Sequence, residues 1–443
     1  MTGRPADSHK MLMEVLYSEH HRAILNYLYR MVGDAARAED LAQEVFLRAF
    51  RALPKLPDAA NYRAWLYRIA TNAAYDALRR QRLLQWLSLR ETDVDDSSSV
   101  RPEQVEKAVK ENPEAGLIIV TSPTYEGVVS DIKAICDIAH RQKIPVLVDA
   151  AHGAHFGFSG FFPPNPVSCG ADIVVASLHK TLPALTQCAL AHVSGGLIDG
   201  NRLASELAVF QTSSPSYVLL SSIDRCLRLL DSGKEALFSE YEKNLEAFNK
   251  SISGIGKLRV LCHGADTQNN RGSFFGFDPG KIVMSTRSTN LSGKELAQLL
   301  RSKYRIELEM VSADYAVAMS SLCDSRDALA LLIGALLDAD REAESDVSGD
   351  KTLYPPSLPR RLVTAAEAAI IKGERRPIEK AVGMMSLEYI WAYPPGIPFL
   401  VPGERIDGSM AAFLRQSADA GLALKSTTGG MPQDIRCAPV PST

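Results

Sequence analysis

Residues 146–155, VLVDAAHGAH, and 172–180, DIVVASLHK, decide the fold. Each is a short β-branched run, apolar without alternation, that ends at polar groups: Asp149 in the first, Ser177, His179 and Lys180 in the second. An unbroken apolar run bounded by turn signals reads as a strand buried on both faces, which is the habit of parallel sheets. More such runs lie around them. GLIIVTSPTY (116–125) and CALAHVSG (188–195) read as further strands, and DIKAICDIAHRQ (131–142) as a helix between two of them. Strand, helix, strand at this spacing predicts a parallel α/β sheet with crossover helices.

Working outward, residues 201–250 read as helix, and Lys257 to about Glu342 as a small α+β unit. Its parts are KIVMST, a helix in SGKELAQLLRSKY, a strand in RIELEMV and a helix in RDALALLIGALLDA. From about Pro355 the pattern is helical, then turn-rich around AYPPGIPFLVPGE. Upstream, ETDVDDSSSV (91–100) is acidic and serine-rich without apolar periodicity, a linker by composition. Before it, residues 9–90 read as three helices: Met11–Val32, a second opening at Asp34 as N-cap, and a third from about Asn61 to Leu89. The expected units are 1–90, helical; 91–102, linker; 103–250, the large sheet domain; 251–345, the small α+β domain; and 346–443, a C-terminal domain.

The chain has 443 residues, 46% apolar and 23% charged, with a net charge of −3, ordinary for a globular protein. The average hides two signs. Residues 1–90 carry 14 Lys and Arg against 9 Asp and Glu, a local +5, and the rest carries −8. A basic module ahead of an acidic body points to nucleic-acid contact in the first part only. The seven cysteines (136, 169, 188, 226, 262, 323 and 437) form no CxxC pair and no zinc spacing, so reduced thiols and no metal site are expected. The polar start MTGRPADSHKMLMEV is no signal peptide, and no apolar run approaches the ~20 residues of a membrane span. A cytoplasmic location is expected.

In an open parallel sheet, functional groups sit just beyond the carboxyl ends of the strands. Asp149 and Lys180 both fall there, on successive strands. A lone Asp or Lys at a strand end is ordinarily a cap or a solvated side chain. The combination of Asp149, the SxHK run and the strand order points elsewhere. A lysine amine beside Ser177 and His179 suits an aldehyde-bearing, phosphorylated ring, and a carboxylate in the same crevice can hold a protonated pyridine nitrogen.

The stretches SPTYEGVVSDI, VDAAHGAHFGF, ASLHKTLPALTQ, FQTSSPSYVLLSSID and AYPPGIPFLVPGE resemble the bacterial ornithine/lysine/arginine decarboxylases, over about 340 residues and in the family's order. That family has the aspartate-aminotransferase fold, type I among pyridoxal-phosphate enzymes. The resemblance implies Lys180 as the lysine that bonds to pyridoxal 5'-phosphate and Asp149 as the partner of its ring nitrogen. It also implies Ala151 on one ring face and Ser177 and His179 on the phosphate. Thr212, Ser213 and Ser214 resemble a run that reaches the phosphate of a neighbouring subunit, which implies a homodimer or higher homo-oligomer. With His152 beside them, Lys180 and Asp149 are the catalytic candidates. The implied reaction is loss of CO₂ from arginine, lysine or ornithine. The family's large domain begins well before its equivalent of Pro102, with strands and a phosphate-cradling loop for which the residues upstream here offer no counterpart. The four strands present would be contiguous, so the sheet is expected to pack with both edges open.

The upstream module has its own pattern. WLYRIATNAAYDALRRQR (65–82) sets Trp65, Tyr67 and Tyr75 among Arg68, Arg79, Arg80 and Arg82 on one helix. Charge runs usually mean a solvated face, yet cations with aromatics are what holding single-stranded DNA requires. With DLAQEVFLRAFR (40–51), it resembles region 2 of extracytoplasmic-function sigma factors over roughly residues 10–88. This implies Asp40, Gln43 and Glu44 as contacts to RNA polymerase core, and Asn72, Asp76, Arg79 and Arg80 as contacts to promoter DNA. Nothing after residue 90 resembles the region that reads the −35 element. Three readings stay open: a decarboxylase with a sigma-like appendage, a transcription regulator with a non-catalytic body, and a non-physiological join of two gene fragments.

Overall fold

A computed structural model describes residues 6–32, 35–53, 61–87, 99–261, 275–345, 353, 356–393, 396, 398–429, 431 and 433–440. Asp34, Leu89, residues 91–98 of the linker, Cys262 and Pro355, named above, lie outside the described residues.

Helices α1 (Ala6–Val32), α2 (Ala35–Ala52) and α3 (Tyr62–Leu87) form a bundle. Their apolar residues recur at helical spacing, so each helix has one stripe to bury. Leu16, Ile24 and Leu28 of α1 meet Val45 and Phe46 of α2 and Leu66 of α3. Ala38, Ala42, Ala49, Ala70, Ala73 and Ala74 let α2 and α3 approach closely. Burying one such large side chain contributes roughly 1.5–3 kcal/mol before chain entropy is charged against it. Asn61 starts α3 by accepting from Ala64 N at 3.0 Å.

Beyond the linker come α4 (Pro102–Glu111), β1 (Ile118–Thr121), β2 (Val128–Val129), α5 (Ile132–Arg141), β3 (Val146–Asp149), β4 (Ile173–Ser177), α6 (Leu178–Thr181) and β5 (Ala189–Val193). The main sheet has the order β1-β3-β4-β5. β1–β3 and β3–β4 are parallel, but β5 runs antiparallel to β4, so the all-parallel expectation fails for this last strand. The reason is the short connection: residues 178–188 are too few to carry the chain back across the sheet. Val105, Val109, Ile135 and Ala139 from α4 and α5 cover one face, against Val120, Val146 and Val148. β1 and β5 are the edge strands of this sheet, and each turns an apolar side chain to solvent, Ile119 at 67% exposure and Val193 at 40%.

The helix expected over 201–250 is two, α7 (Gly200–Phe210) and α8 (Tyr217–Ser251). Pro215 has no N–H to give a continuing helix, and Ser216 caps α8 by accepting from Leu219 N. Buried Leu230, Phe238, Tyr241 and Leu245 of α8 pack with Phe156 and Phe162 on the other side of the main sheet.

The next elements are β6 (Arg259–Leu261), β7 (Gly276–Phe277), β8 (Lys281–Ser285), α9 (Gly293–Tyr304), β9 (Met310–Val311), β10 (Tyr315–Met319) and α10 (Arg326–Glu342). An antiparallel sheet β6-β8-β10-β9 lies under α9, α10 and the end of α8, sealed by Phe248, Ile282, Met284, Leu296, Leu332 and Leu336. RIELEMV supplies only Met310–Val311 as strand, while the β10 run YAVAM is central. The small pair β2–β7 joins this unit to the first sheet.

The last part is α11 (Ala365–Ala369), β11 (Glu374–Pro377), β12 (Met385–Ser386), β13 (Ile390–Ala392), β14 (Pro398–Leu400), α12 (Gly408–Asp419), β15 (Leu424–Ser426) and β16 (Asp434–Ala438). It is mainly two three-stranded sheets, β11-β16-β12 and β14-β13-β15, where a helical start was expected. Strands of two to five residues are too short to show alternation against helical background. Buried Glu388 accepts from Arg436 N at 2.7 Å and Thr428 N at 3.1 Å, tying the two sheets together. Among the described residues no helix is long and apolar enough to cross a membrane.

Candidate active site

Asp149 closes β3 and lies in register with Val175 of β4, and Ala150 N donates to Val175 O at 2.9 Å. Two residues past Val175 the strand ends, and α6 carries His179 and Lys180. Asp149 and Lys180 thus leave the same carboxyl edge of neighbouring parallel strands. Asp149 Oδ1 accepts from Ala151 N at 3.1 Å, which fixes the turn into AAHG. His152 follows, 6% exposed, with Nε2 3.0 Å from Lys180 Nζ.

The other side of His152 was not foreseen. Its Nδ1 lies 3.0 Å from Nζ of Lys281, the first residue of β8, which is 1% exposed. Tyr125 covers the ring with centroids 4.3 Å apart and donates its hydroxyl to Glu309 Oε1 at 2.5 Å. Beneath them, fully buried Asp278 faces His155 Nε2 at 3.0 Å and accepts from Gly280 N at 2.9 Å. One sequence signal could have found this layer: a lysine heads the otherwise apolar strand KIVM directly after a tight DPG turn.

The electrostatics follow from burial. Desolvation, with Lys281 and Lys180 next in weight, pushes the His152 imidazole down to about 2, so the ring is neutral. Burial also lowers Lys281 below the ordinary lysine value. For Asp278 burial works upward, yet His155 and Lys281 together hold the carboxyl below its usual range.

His179 Nδ1 lies 2.9 Å from Cys188 O, so Nδ1 carries the proton and Nε2 is left for another partner. Ser177 makes no side-chain capping bond to α6, and Thr181 Oγ1 is buried without a hydrogen-bond partner. The donor set suits pyridoxal phosphate: an amine on α6, a carboxylate at the end of the neighbouring strand, and a hydroxyl and imidazole near the start of α6. An unpartnered buried hydroxyl beside Lys180 fits the same group. Thr212, Ser213 and Ser214 sit apart, all exposed, between α7 and α8. Among the described residues no hydrogen bond joins them to Ser177, His179 or Lys180. Their neighbours Phe210 and Tyr217 are 88% and 81% exposed.

In the bundle, Asp40, Gln43 and Glu44 share one face of α2 with exposed Leu47 and Phe50, and Glu44 holds Arg48 at 2.8 Å. Gln43, Leu47 and Phe50 line a cleft of about 600 Å³ with Met13 and Tyr17. Asn72 and Asp76 are half-buried on one face of α3. The side chains of Arg79, Arg80 and Arg82 lie outside the described residues. Asp76 Oδ1 accepts from Arg361 Nη2 at 2.8 Å, and its other oxygen lies 4.0 Å from Arg48.

The fold is that of solved decarboxylases. The constitutive lysine decarboxylase of E. coli aligns over 79% of this chain and 61% of its own, with a TM-score of 0.55 and 17% identity. The Francisella novicida lysine decarboxylase LdcF aligns over 76% and 60%, with a TM-score of 0.54 and 16% identity. The chain thus spans about three fifths of the length of these structures. The sequence narrows the class. Residues 92–284 match the model of the Orn/Lys/Arg decarboxylase major domain, and 354–424 match that of the C-terminal domain. The arginine decarboxylase of Bacillus subtilis is 31% identical over 333 residues, which cover 74% of this chain and 67% of that protein. The chain belongs to the Orn/Lys/Arg decarboxylase family. Residues 16–83 match Sigma-70 region 2 instead, and the ECF RNA polymerase sigma factor SigL of Mycobacterium tuberculosis is 43% identical over 72 residues, 16% of this chain and 41% of its own.

Proposed function

We propose that the chain is a pyridoxal-phosphate-dependent decarboxylase of arginine, lysine or ornithine, carrying a sigma-like module at its N-terminus. The observation that carries this is the 3.0 Å approach of Lys180 Nζ to His152 Nε2, with Asp149 ending the neighbouring parallel strand. When bound, the cofactor supplies an electron sink for the pair left behind as CO₂ departs. The chain's own part is binding and proton placement. Lys180 is the amine that would hold the cofactor and Asp149 the carboxylate for its ring nitrogen. Ala151 would pack on the ring, and Ser177 and His179 would meet the phosphate. His152 holds Lys180 Nζ in place.

The catalytic unit in this reading is a homodimer or higher homo-oligomer in the cytoplasm. The exposed Thr212–Ser214 run and its bare aromatic neighbours support a second copy over that surface, completing the phosphate site. In the bundle, Asp40, Gln43 and Glu44 would meet RNA polymerase core, and Asn72, Asp76, Arg79 and Arg80 promoter DNA. A second reading, a transcription regulator with a non-catalytic body, is favoured by the Arg361–Asp76 pair, because it couples the two parts. Measuring agmatine, cadaverine and putrescine formed from the three amino acids tests the first reading. Turnover of one of them, lost in Lys180→Ala, is expected; no turnover, with RNA polymerase core retained on the purified chain, supports the second.

A further inference from the structure

His152 stands between two lysines, with Nε2 3.0 Å from Lys180 Nζ and Nδ1 3.0 Å from Lys281 Nζ. A neutral imidazole has one N–H and one lone pair, whereas an ammonium group only donates. Two ammonium groups therefore cannot both be hydrogen-bonded to this ring. One lysine donates to the bare nitrogen, and the other accepts from the ring N–H with an uncharged amine. We propose that Lys281 is a positioning residue for Lys180: the two amines share one proton across His152, and Lys281 keeps it when Lys180 needs its lone pair.

The step balances within the chain. Lys180 Nζ gives a proton to His152 Nε2 while the proton on Nδ1 passes to Lys281 Nζ. One N–H bond breaks and one forms at each contact, the ring ends neutral in its other tautomer, and the net charge is unchanged. Lys180 is left with the free electron pair that an attack on any carbonyl requires.

Lys281 is held for this role. The turn at Gly127 passes directly over its side chain: a Cβ on Gly127 would stand 2.7 Å from Lys281 Cγ and 2.9 Å from its Cβ, and Gly127 has φ +105°. This is a left-handed conformation that glycine adopts without strain. The negative groups facing Lys281 are Asp278, Glu309 and Glu126, which ease a charge there without pairing with it directly. His155 and His179 are the other titratable groups around the ring, and Tyr125 covers its face.

The inference rests on the reading that Lys180 is the amine this site uses, but its test needs no cofactor. The full chain, free of pyridoxal phosphate, is trace-labelled with acetic anhydride, and acetylation of Lys180 is measured by peptide mass spectrometry against exposed Lys110. Lys281→Met and Lys281→Gln, neither of which places a cation at Nδ1, are expected to slow Lys180 about tenfold. Lys281→Arg, which keeps a cation at Nδ1 and so the ring N–H toward Lys180, is expected to restore the rate. Near-UV circular dichroism establishes that each variant is packed. Unchanged Lys180 reactivity in the Met or Gln variant overturns the proposal, as does a loss that Arg fails to restore. A chain that passes this test yet binds no pyridoxal phosphate would sink the decarboxylase reading alone.

Discussion

Arg361 Nη2 donates to Asp76 Oδ1 at 2.8 Å, joining the decarboxylase C-terminal part to the third helix of the sigma-like bundle across 285 positions of sequence. Both side chains are largely withdrawn from water, at 22% and 16% exposure, so the pair is screened less than a surface one. It also occupies a carboxylate that the resemblance assigns to promoter DNA. Arg361→Ala is expected to weaken the docking of the bundle by about 1 kcal/mol, near the upper end for partly exposed pairs. Proteolysis within the 91–102 linker should then run faster than in the wild type. Equal cleavage rates would mean that the pair does not hold the two parts together.

Asp340 offers a pH test away from the site. Its carboxylate accepts from the backbone N–H groups of Gly256, Lys257 and Leu258 at 3.1, 2.8 and 2.7 Å, fixing the entry to β6. Burial works against ionisation, but these bonds hold the carboxyl below its usual range. A depressed carboxyl stabilises the fold above the unfolded value, about 3.9, and loses that contribution as pH falls through the folded one. Asp340→Asn is therefore expected to lower stability by about 1–3 kcal/mol at pH 7. In urea unfolding the gap to wild type should close on acidification below about pH 4. A gap independent of pH would contradict the assignment to charge.

The bare aromatics around Thr212–Ser214 bear on assembly. Phe210 and Tyr217 bury almost nothing in the single chain, so Phe210→Asp with Tyr217→Asp should leave its thermal midpoint within a few degrees of wild type. The same pair is expected to convert an oligomer to monomer in sedimentation velocity. An unchanged sedimentation coefficient would place the subunit contact elsewhere.

The sheet was legible because β1, β3 and β4 are unbroken apolar runs whose ends carry the chemistry-bearing residues. The position of Asp149 and Lys180 at the ends of successive strands could be read from strand order together with the SxHK run, while the roles proposed for them come from the family resemblance. The direction of β5 does not show in its own apolar run, which looks the same in either sense; it is set by the short connection 178–188, too brief for a parallel crossover. Lys281 escaped for a different reason. It meets His152 across 129 positions, and no local period reports a contact made by tertiary packing. The C-terminal strands escaped because each is shorter than the window in which a period can be seen.

The most direct test is titration of the purified chain with pyridoxal phosphate, followed by its visible absorbance, in wild type, Lys180→Ala and Asp149→Asn. The account predicts a saturable band in the wild type that Lys180→Ala abolishes and that Asp149→Asn weakens at least tenfold in cofactor affinity, as the loss of a charged partner for a ring nitrogen requires, about 1.4 kcal/mol or more. A wild-type chain with no band, or a band that survives in Lys180→Ala, would contradict it.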